Sequence, residues 1–259
     1  MAMSGRTGAQ YIHPSPTDGC APTPECAVTH LYQPLPRFCS VKRIPVGTPS
    51  FDNLLGGGIE AGSITLLYGE GGSGKTNICL QMAYNLIKEG SLVAYVDTEG
   101  LSIDRIMQIF GDESLVKNLL VFTAHSFEEQ MEKIGKAAKL AETNNRVALL
   151  IVDSMTGFYR LRSDETFVRS ELSKETEILL RMARNMEIPV LLTSQVYADI
   201  GTGTVEMLGG HAMRHNAKTI IRLDKRTNGR RVAVIIKHRS MPEGRFANYR
   251  ITETGVDSD

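Results

Sequence analysis

The sequence predicts an α/β fold: a mostly parallel central sheet flanked by helices, with an antiparallel extension at its carboxy-terminal end. Three observations predict it. Beyond about Lys42, short apolar runs alternate with longer amphipathic stretches, the rhythm of strands and helices in a βαβ series. A glycine-rich segment, Gly69 to Thr76, lies between an apolar run and a helix-like one. After residue 219 the apolar runs are separated only by tight turns, too short for crossover helices.

Taken in order, the strand candidates are Ser63 to Tyr68, Leu92 to Asp97, Leu119 to Thr123, Ala148 to Val152 and Val190 to Thr193. Thr219 to Leu223, Val232 to Ile236 and Asn248 to Ile251 follow, joined by turns at Asn228-Gly229 and Pro242-Glu243-Gly244. No internal repeat is visible. Eight of the ten prolines and three of the four cysteines fall within the first 49 residues, without helical or strand periodicity. Residues 1–43 therefore read as a disordered arm, 44–256 as the folded core, and 257–259 as a short acidic tail. Cys20, Cys26, His30 and Cys39 lack the paired close spacing of a structural zinc site.

A chain of 259 residues with 42% hydrophobic and 22% charged content has the composition of one large globular domain. Its apolar runs fall far short of the ~20 residues that span a bilayer, so no membrane association is expected. The amino terminus lacks the apolar core of a secretory signal, and four cysteines are too few for a disulfide scaffold, so a cytoplasmic location is expected. The 29 basic and 29 acidic residues cancel, but not evenly along the chain. Residues 211–250 hold 11 Lys/Arg against 2 acids. That balance fits either a footprint for a phosphate backbone or the solvated face of an antiparallel sheet.

Residues 69–76 read GEGGSGKT and match G-x-x-x-x-G-K-[ST] in the required context, directly after a strand and directly before a helix. Gly69, Gly71, Gly72 and Gly74 let the backbone curl so that successive N–H groups turn toward phosphate oxygens, where a Cβ would obstruct. Lys75 supplies charge to the β and γ phosphates. Thr76 offers a hydroxyl to Mg²⁺, and the helix starting there points its positive end at the same anion. Glu70, Ser73 and Asn77 complete the expected ATP contacts. A second acid for the metal stands at the end of the apolar strand VALLIVD, at Asp153, the Walker-B candidate. Two more polar residues end strands. Glu99 could hold and deprotonate an attacking water, and Gln195 could hydrogen-bond the γ-phosphate and relay its presence into the next loop.

In this order and spacing, the P-loop, Glu99, Asp153, Gln195 and the Gly-rich loop that follows resemble the RecA-type ATPase core. The resemblance is strongest to the archaeal RadB family, recombinase paralogues related to RadA, and runs from about Ile44 through Val256. FDNLLGGGIEAG, DTEG, LIVDSMTGFYR, TSQV and LGGHAMRHNAKTIIRLDK carry it. It implies a RecA-like P-loop ATPase fold, with Glu99 as the water-activating glutamate and Gln195 as the γ-phosphate sensor. It also implies an accessory role in homologous recombination and DNA repair with slow ATP turnover. The implied partners are DNA, a RadA-type recombinase and a Holliday junction resolvase, with homo-oligomers possible.

The departures from full recombinases matter as much. The arm does not resemble the helix-hairpin-helix domain of RadA, and Phe38-Cys39-Ser40-Val41 is a poor Phe-x-x-Ala polymerisation motif. The loop from Tyr197 to Leu208, matching the second DNA-binding loop, has no Lys or Arg and two acids, which predicts weak backbone attraction. Arg160, Arg162 and Arg169 supply the first loop, and Arg214, Lys237 and Arg239 are further DNA-contact candidates. Lys237-His238-Arg239 could equally reach a neighbouring subunit's nucleotide, a partner protein, or simply end a strand. His211 and His215 stand four apart on a predicted helix without an acidic or cysteine partner, which favours a surface or interface role over metal. Two other functions fit a RecA core: a KaiC-like signalling ATPase or kinase acting on protein, and a nucleotide-gated interaction module without useful hydrolysis.

Overall fold

The structure is a computed structural model that describes residues 41–159, 164–198, 205–208 and 210–259. In chain order its elements begin with β1 (Arg43–Ile44), α1 (Pro49–Leu54), β2 (Ile59–Glu60), β3 (Ile64–Gly69), α2 (Lys75–Lys88) and β4 (Leu92–Asp97). Next come α3 (Ile103–Phe110), α4 (Glu113–Val116), β5 (Leu119–Thr123), α5 (Phe127–Thr143), β6 (Val147–Asp153) and α6 (Glu165–Met186). The chain continues through β7 (Val190–Ser194), β8 (Val196–Ala198), β9 (Val205–Met207), α7 (Gly210–Asn216), β10 (Thr219–Lys225), β11 (Arg230–Lys237), β12 (Phe246–Thr252) and β13 (Gly255–Ser258).

Nine strands form one sheet in the order β13-β12-β11-β10-β3-β7-β6-β4-β5. From β10 to β5 every neighbour is parallel, and from β10 to β13 every neighbour is antiparallel. β3, β4 and β7 are buried along their whole length, the burial that a continuous apolar run predicts for a parallel strand covered on both faces. Helices α1, α2 and α3 cover one face, around Phe51, Leu80, Ile106 and Tyr95. Helices α5, α6 and α7 cover the other, around Ile134, Leu172, Leu179 and Met213. β5 ends the sheet and is only partly covered, with Val121 exposed.

Local chemistry sets the helix boundaries. Ser102 starts α3 and Ser126 starts α5, each accepting the N–H three residues on at 3.2 Å, and Asp164 does the same for Phe167 ahead of α6 at 3.0 Å. Asn228 and Gly229 both take positive φ, 57° and 73°, at the hairpin between β10 and β11, which is why this pair serves a tight turn. The eight anticipated strands are all present. The additional ones, β1, β2, β8, β9 and β13, are two to four residues long, too short to carry a periodic signal. β13 falls partly in the stretch read as an acidic tail: Asp257 and Ser258 pair with Arg250 and Tyr249 of β12. The anticipated arm and its Cys/His set lie outside the described residues, apart from its last three. No described helix is long and apolar enough to cross a membrane.

Between α5, α6 and the end of β6 lies a buried polar pair. The Gln130 amide donates to the Met155 carbonyl and to Glu175 Oε2, each at 3.2 Å. Glu175 Oε1 and Gln130 Oε1 are buried without a partner. Burial pushes the Glu175 carboxyl from 4.5 to about 8. In the unfolded chain it ionises near pH 4.5, while in the folded protein it keeps its proton to about pH 8. Stability contributed by this site is therefore fully present below pH 4.5 and falls as pH rises to 8, by on the order of 3–5 kcal/mol. Glu175→Gln should remove that slope, so thermal unfolding at pH 5, 6.5 and 8 should show the variant gaining on the parent protein as pH rises.

Candidate functional site

The turn between β3 and α2 is shaped by its glycines. A Cβ on Gly69 would stand 2.3 Å from the Leu223 carbonyl oxygen, so only glycine lets β3 end against β10. Gly72 and Gly74 take φ of 76° and 105°, where side chains are strained. Nothing lies within 4 Å of the space a Cβ would fill at Gly71 or Gly72, which leaves an open cradle over the turn. Helix α2 has no capping side chain and no acid in its first turn, so its unpaired N–H groups and positive end face that cradle. The Ser73 hydroxyl is buried there without a partner. These features suit an anion, and phosphate in particular. Lys75 Nζ lies folded back on the turn, donating to the carbonyls of Gly69 (2.8 Å) and Glu70 (3.1 Å). Burial pulls the Lys75 pKa down, and the carboxylates of Glu99 and Asp153 oppose the shift.

Asp153 ends β6 almost fully buried. Its Oδ2 accepts the hydroxyls of Thr76 and Tyr95, each at 2.7 Å, and its Oδ1 accepts that of Thr193. Hydrogen bonds to a charged group contribute about 1.5–3 kcal/mol each, yet burial still pushes the Asp153 carboxyl upward, with the Glu99 charge adding to it. A cation beside Thr76 and Asp153 would relieve that excess, and the hard oxygen donors suit Mg²⁺. Above them, the Asp97 carboxylate accepts the N–H groups of Glu99 (3.1 Å), Gly100 (2.8 Å) and Leu101 (2.9 Å), fixing the loop after β4. Gln195 Nε2 donates to both oxygens of Glu99, at 3.0 and 3.2 Å, and the Ser154 hydroxyl donates to Oε1 at 2.7 Å. The ends of β3, β4, β6 and β7 thus bring Lys75, Thr76, Glu99, Asp153 and Gln195 to one edge of the sheet, where ligands of open α/β sheets bind.

The Rad51 family profile matches residues 37–259. The chain is 44% identical over 218 residues to the DNA repair and recombination protein RadB of Archaeoglobus fulgidus, covering 83% of this chain and 97% of that one. It is also 44% identical to the RadB of Methanococcoides burtonii, over 79% of this chain and 93% of that protein. A solved structure, described as the RadB recombinase, superimposes with a TM-score of 0.73 at 38% identity, covering 83% of this chain and 99% of the other. The chain belongs to the archaeal RadB family.

The candidate DNA contacts of this RadB-family chain differ in exposure and in pairing. Arg160 and Arg162 lie outside the described residues. Arg169 on α6 and Arg214 on α7 are exposed. Lys237 Nζ is bound to the carbonyls of Arg214 (2.6 Å) and Ala217 (2.8 Å), tying the carboxyl end of α7 to β11. Arg239 pairs at 2.6 Å with Glu60, a buried carboxylate that Arg43 also approaches at 3.2 Å. The basic stretch is also partly neutralised in space: Arg230 meets Asp259 (2.8 Å), Arg222 meets Asp224 (3.0 Å), and Lys225 meets Glu70 (3.3 Å). No group of residues suited to holding a metal by His, Cys, Asp and Glu alone occurs among the described residues.

Several residues at the site carried no signal in the sequence. Tyr95 and Thr193 read as ordinary strand residues, and nothing marked Ser154 beyond its place after Asp153. Tyr249 and Arg231, far along the chain, back the turn by donating to the carbonyls of Ser73 (2.7 Å) and Gly72 (3.2 Å). Arg105 was also missed. It donates to Asn77 Oδ1 (2.7 Å), at the start of α2, and to the carbonyls of Thr252, Glu253 and Gly255 between β12 and β13 (2.8, 2.8 and 3.4 Å). Arg105→Ala should leave the fold intact but lower its stability by about 1–2 kcal/mol. Hydrogen exchange should rise first in residues 252–256, and denaturant unfolding would measure the loss.

Proposed function

We propose that this protein is an ATP-binding, DNA-binding accessory protein of homologous recombination and DNA repair, and a weak ATPase. The observation that carries the reading is the open glycine cradle at Gly71 and Gly72 with the Thr76–Asp153 pair beneath it and Glu99 across from it, in a chain of the RadB family. The N–H groups of Gly69 to Asn77, including those of Glu70, Ser73 and Gly74, hold the phosphates of ATP. Lys75 leaves its carbonyl partners to neutralise the β and γ oxygens. Thr76 and Asp153 hold Mg²⁺, which supplies charge to the same oxygens when bound. Glu99 takes the proton of the attacking water, and Gln195 donates its amide to the γ-phosphate.

DNA is the proposed macromolecular ligand, through the arginines of the first loop and Arg214. Lys237 and Arg239 are weaker candidates, since both already have partners within the fold. A RadA-type recombinase and a Holliday junction resolvase are the proposed protein partners.

Lys75→Ala should weaken ATP binding by at least about a hundredfold, since it removes the ammonium that neutralises the β and γ oxygens; unaltered affinity would overturn the site. Glu99→Gln should bind ATP normally and lose hydrolysis, measured without DNA and with single-stranded or duplex DNA. Stimulation by DNA should fall steeply between 50 and 200 mM salt if phosphate contacts drive it. Tight nucleotide binding with negligible turnover in the parent protein would instead mark an ATP-gated mediator.

A further inference from the structure

Glu99 stands exposed on a loop, where a glutamate ordinarily samples many rotamers. Here its carboxylate is held by two groups of different character. Ser154 is fully buried, and its backbone is locked to Thr98: the Ser154 N–H donates to Thr98 Oγ1, and that hydroxyl donates to the Ser154 carbonyl, both at 2.8 Å. Gly157 permits the lock, because a Cβ there would stand 2.6 Å from Thr98 Oγ1. The Ser154 hydroxyl is thus a fixed donor, 2.7 Å from Glu99 Oε1. Gln195 is the movable one. Its amide straddles both carboxylate oxygens from a partly exposed position at the mouth of the site.

We propose that Ser154 is a positioning residue for Glu99, and that Gln195 completes with it a clamp that keeps the carboxylate occupied until an anionic group claims the Gln195 amide. The proposal rests on the ATPase reading above and names the regulation of that site. A carboxylate that accepts three hydrogen bonds has fewer lone pairs left for an attacking water. A terminal phosphate oxygen competes for the same amide, and once Gln195 turns to it, Ser154 alone directs the freed carboxylate. ADP, lacking that phosphate, leaves the clamp closed. The main chain of Gln195 links the clamp to the hairpin of β8 and β9. Its carbonyl accepts the Leu208 N–H at 3.0 Å, its N–H donates to Thr156 Oγ1 at 3.1 Å, and the Ser194 hydroxyl lies against the carbonyls of both Gln195 (3.0 Å) and Leu208 (3.1 Å). The hairpin is therefore tied to the residue whose amide must turn.

The test compares Ser154→Ala and Ser154→Cys with the parent protein, using a non-hydrolysable ATP analogue and ADP, each with Mg²⁺, as binding probes. Neither change alters charge, and cysteine keeps the side-chain size while weakening the donor. Both variants should lose about tenfold in kcat because the base is no longer aimed. Both should bind the ATP analogue about threefold more tightly, since the clamp it must open is weaker, and bind ADP unchanged. Equal shifts for the two nucleotides, an unchanged kcat, or full recovery in the cysteine variant would each overturn the proposal alone, because packing and not the hydroxyl would be at work. Failure of the parent protein to bind either nucleotide would overturn the ATPase reading and this proposal with it.

Discussion

The site depends on one buried carboxylate. Asp153 sits at the end of a strand buried on both faces, where an isolated charge costs several kcal/mol. The fold meets that cost with three hydroxyls from three different elements: Thr76 at the start of α2, Tyr95 in β4 and Thr193 in β7. Those contacts fix the relative height of the strand ends and seat the first turn of α2 over the sheet. The placement of Lys75, Glu99 and Gln195 follows from it, because each stands within a few residues of an Asp153 partner. Burial still outweighs the donors, so the pocket is poised to accept positive charge.

The positive charge of the carboxy-terminal sheet is partly offset in space. Read along the chain, residues 211–250 are strongly basic. Folded, β13 brings Asp257 beside Arg250 and sets Asp259 against Arg230, while Glu60, distant along the chain, meets Arg239. The exposed pairs among these add little stability, about 0–1 kcal/mol each, whereas Glu60 is buried beneath its arginines. The larger effect of the pairs is on the field of the sheet, which the acids bring closer to neutral. Arg169 and Arg214, on α6 and α7, stay exposed.

The candidate phosphate turn could be named from the sequence because it is local. Gly69 to Thr76 are contiguous, and each residue type is dictated by the turn it must make. Asp153, Glu99 and Gln195 were legible because each follows an apolar run that announces a strand. The central sheet was read on the same ground. What stayed hidden depends on register between distant segments. Whether Tyr95 or Val96 faces Asp153 is set by a one-residue alternation that a fully apolar strand does not reveal. Arg105 gave no sign that it would reach the turn after β12, and Lys237, read as a candidate contact for DNA or a partner, spends its charge on the end of α7. Short strands such as β8 and β13 were invisible for a simpler reason, since three or four residues cannot display a period.

The glycine-rich turn after β3 is completed from the far end of the polypeptide. The Tyr249 hydroxyl that supports Ser73 lies 176 residues downstream of it. Ile251 packs against Gly74, and Val256 hydrogen-bonds Gln81 on α2. During synthesis the P-loop sequence leaves the ribosome early, with strand and helix signals of its own but without this backing. Until β11 and β12 emerge and dock, the main-chain carbonyls of Gly72 and Ser73 lack the donors that hold them. The turn thereby gains its full backing only near the last step of translation, so a chain truncated before β12 would carry the motif without the Tyr249 hydroxyl that holds it.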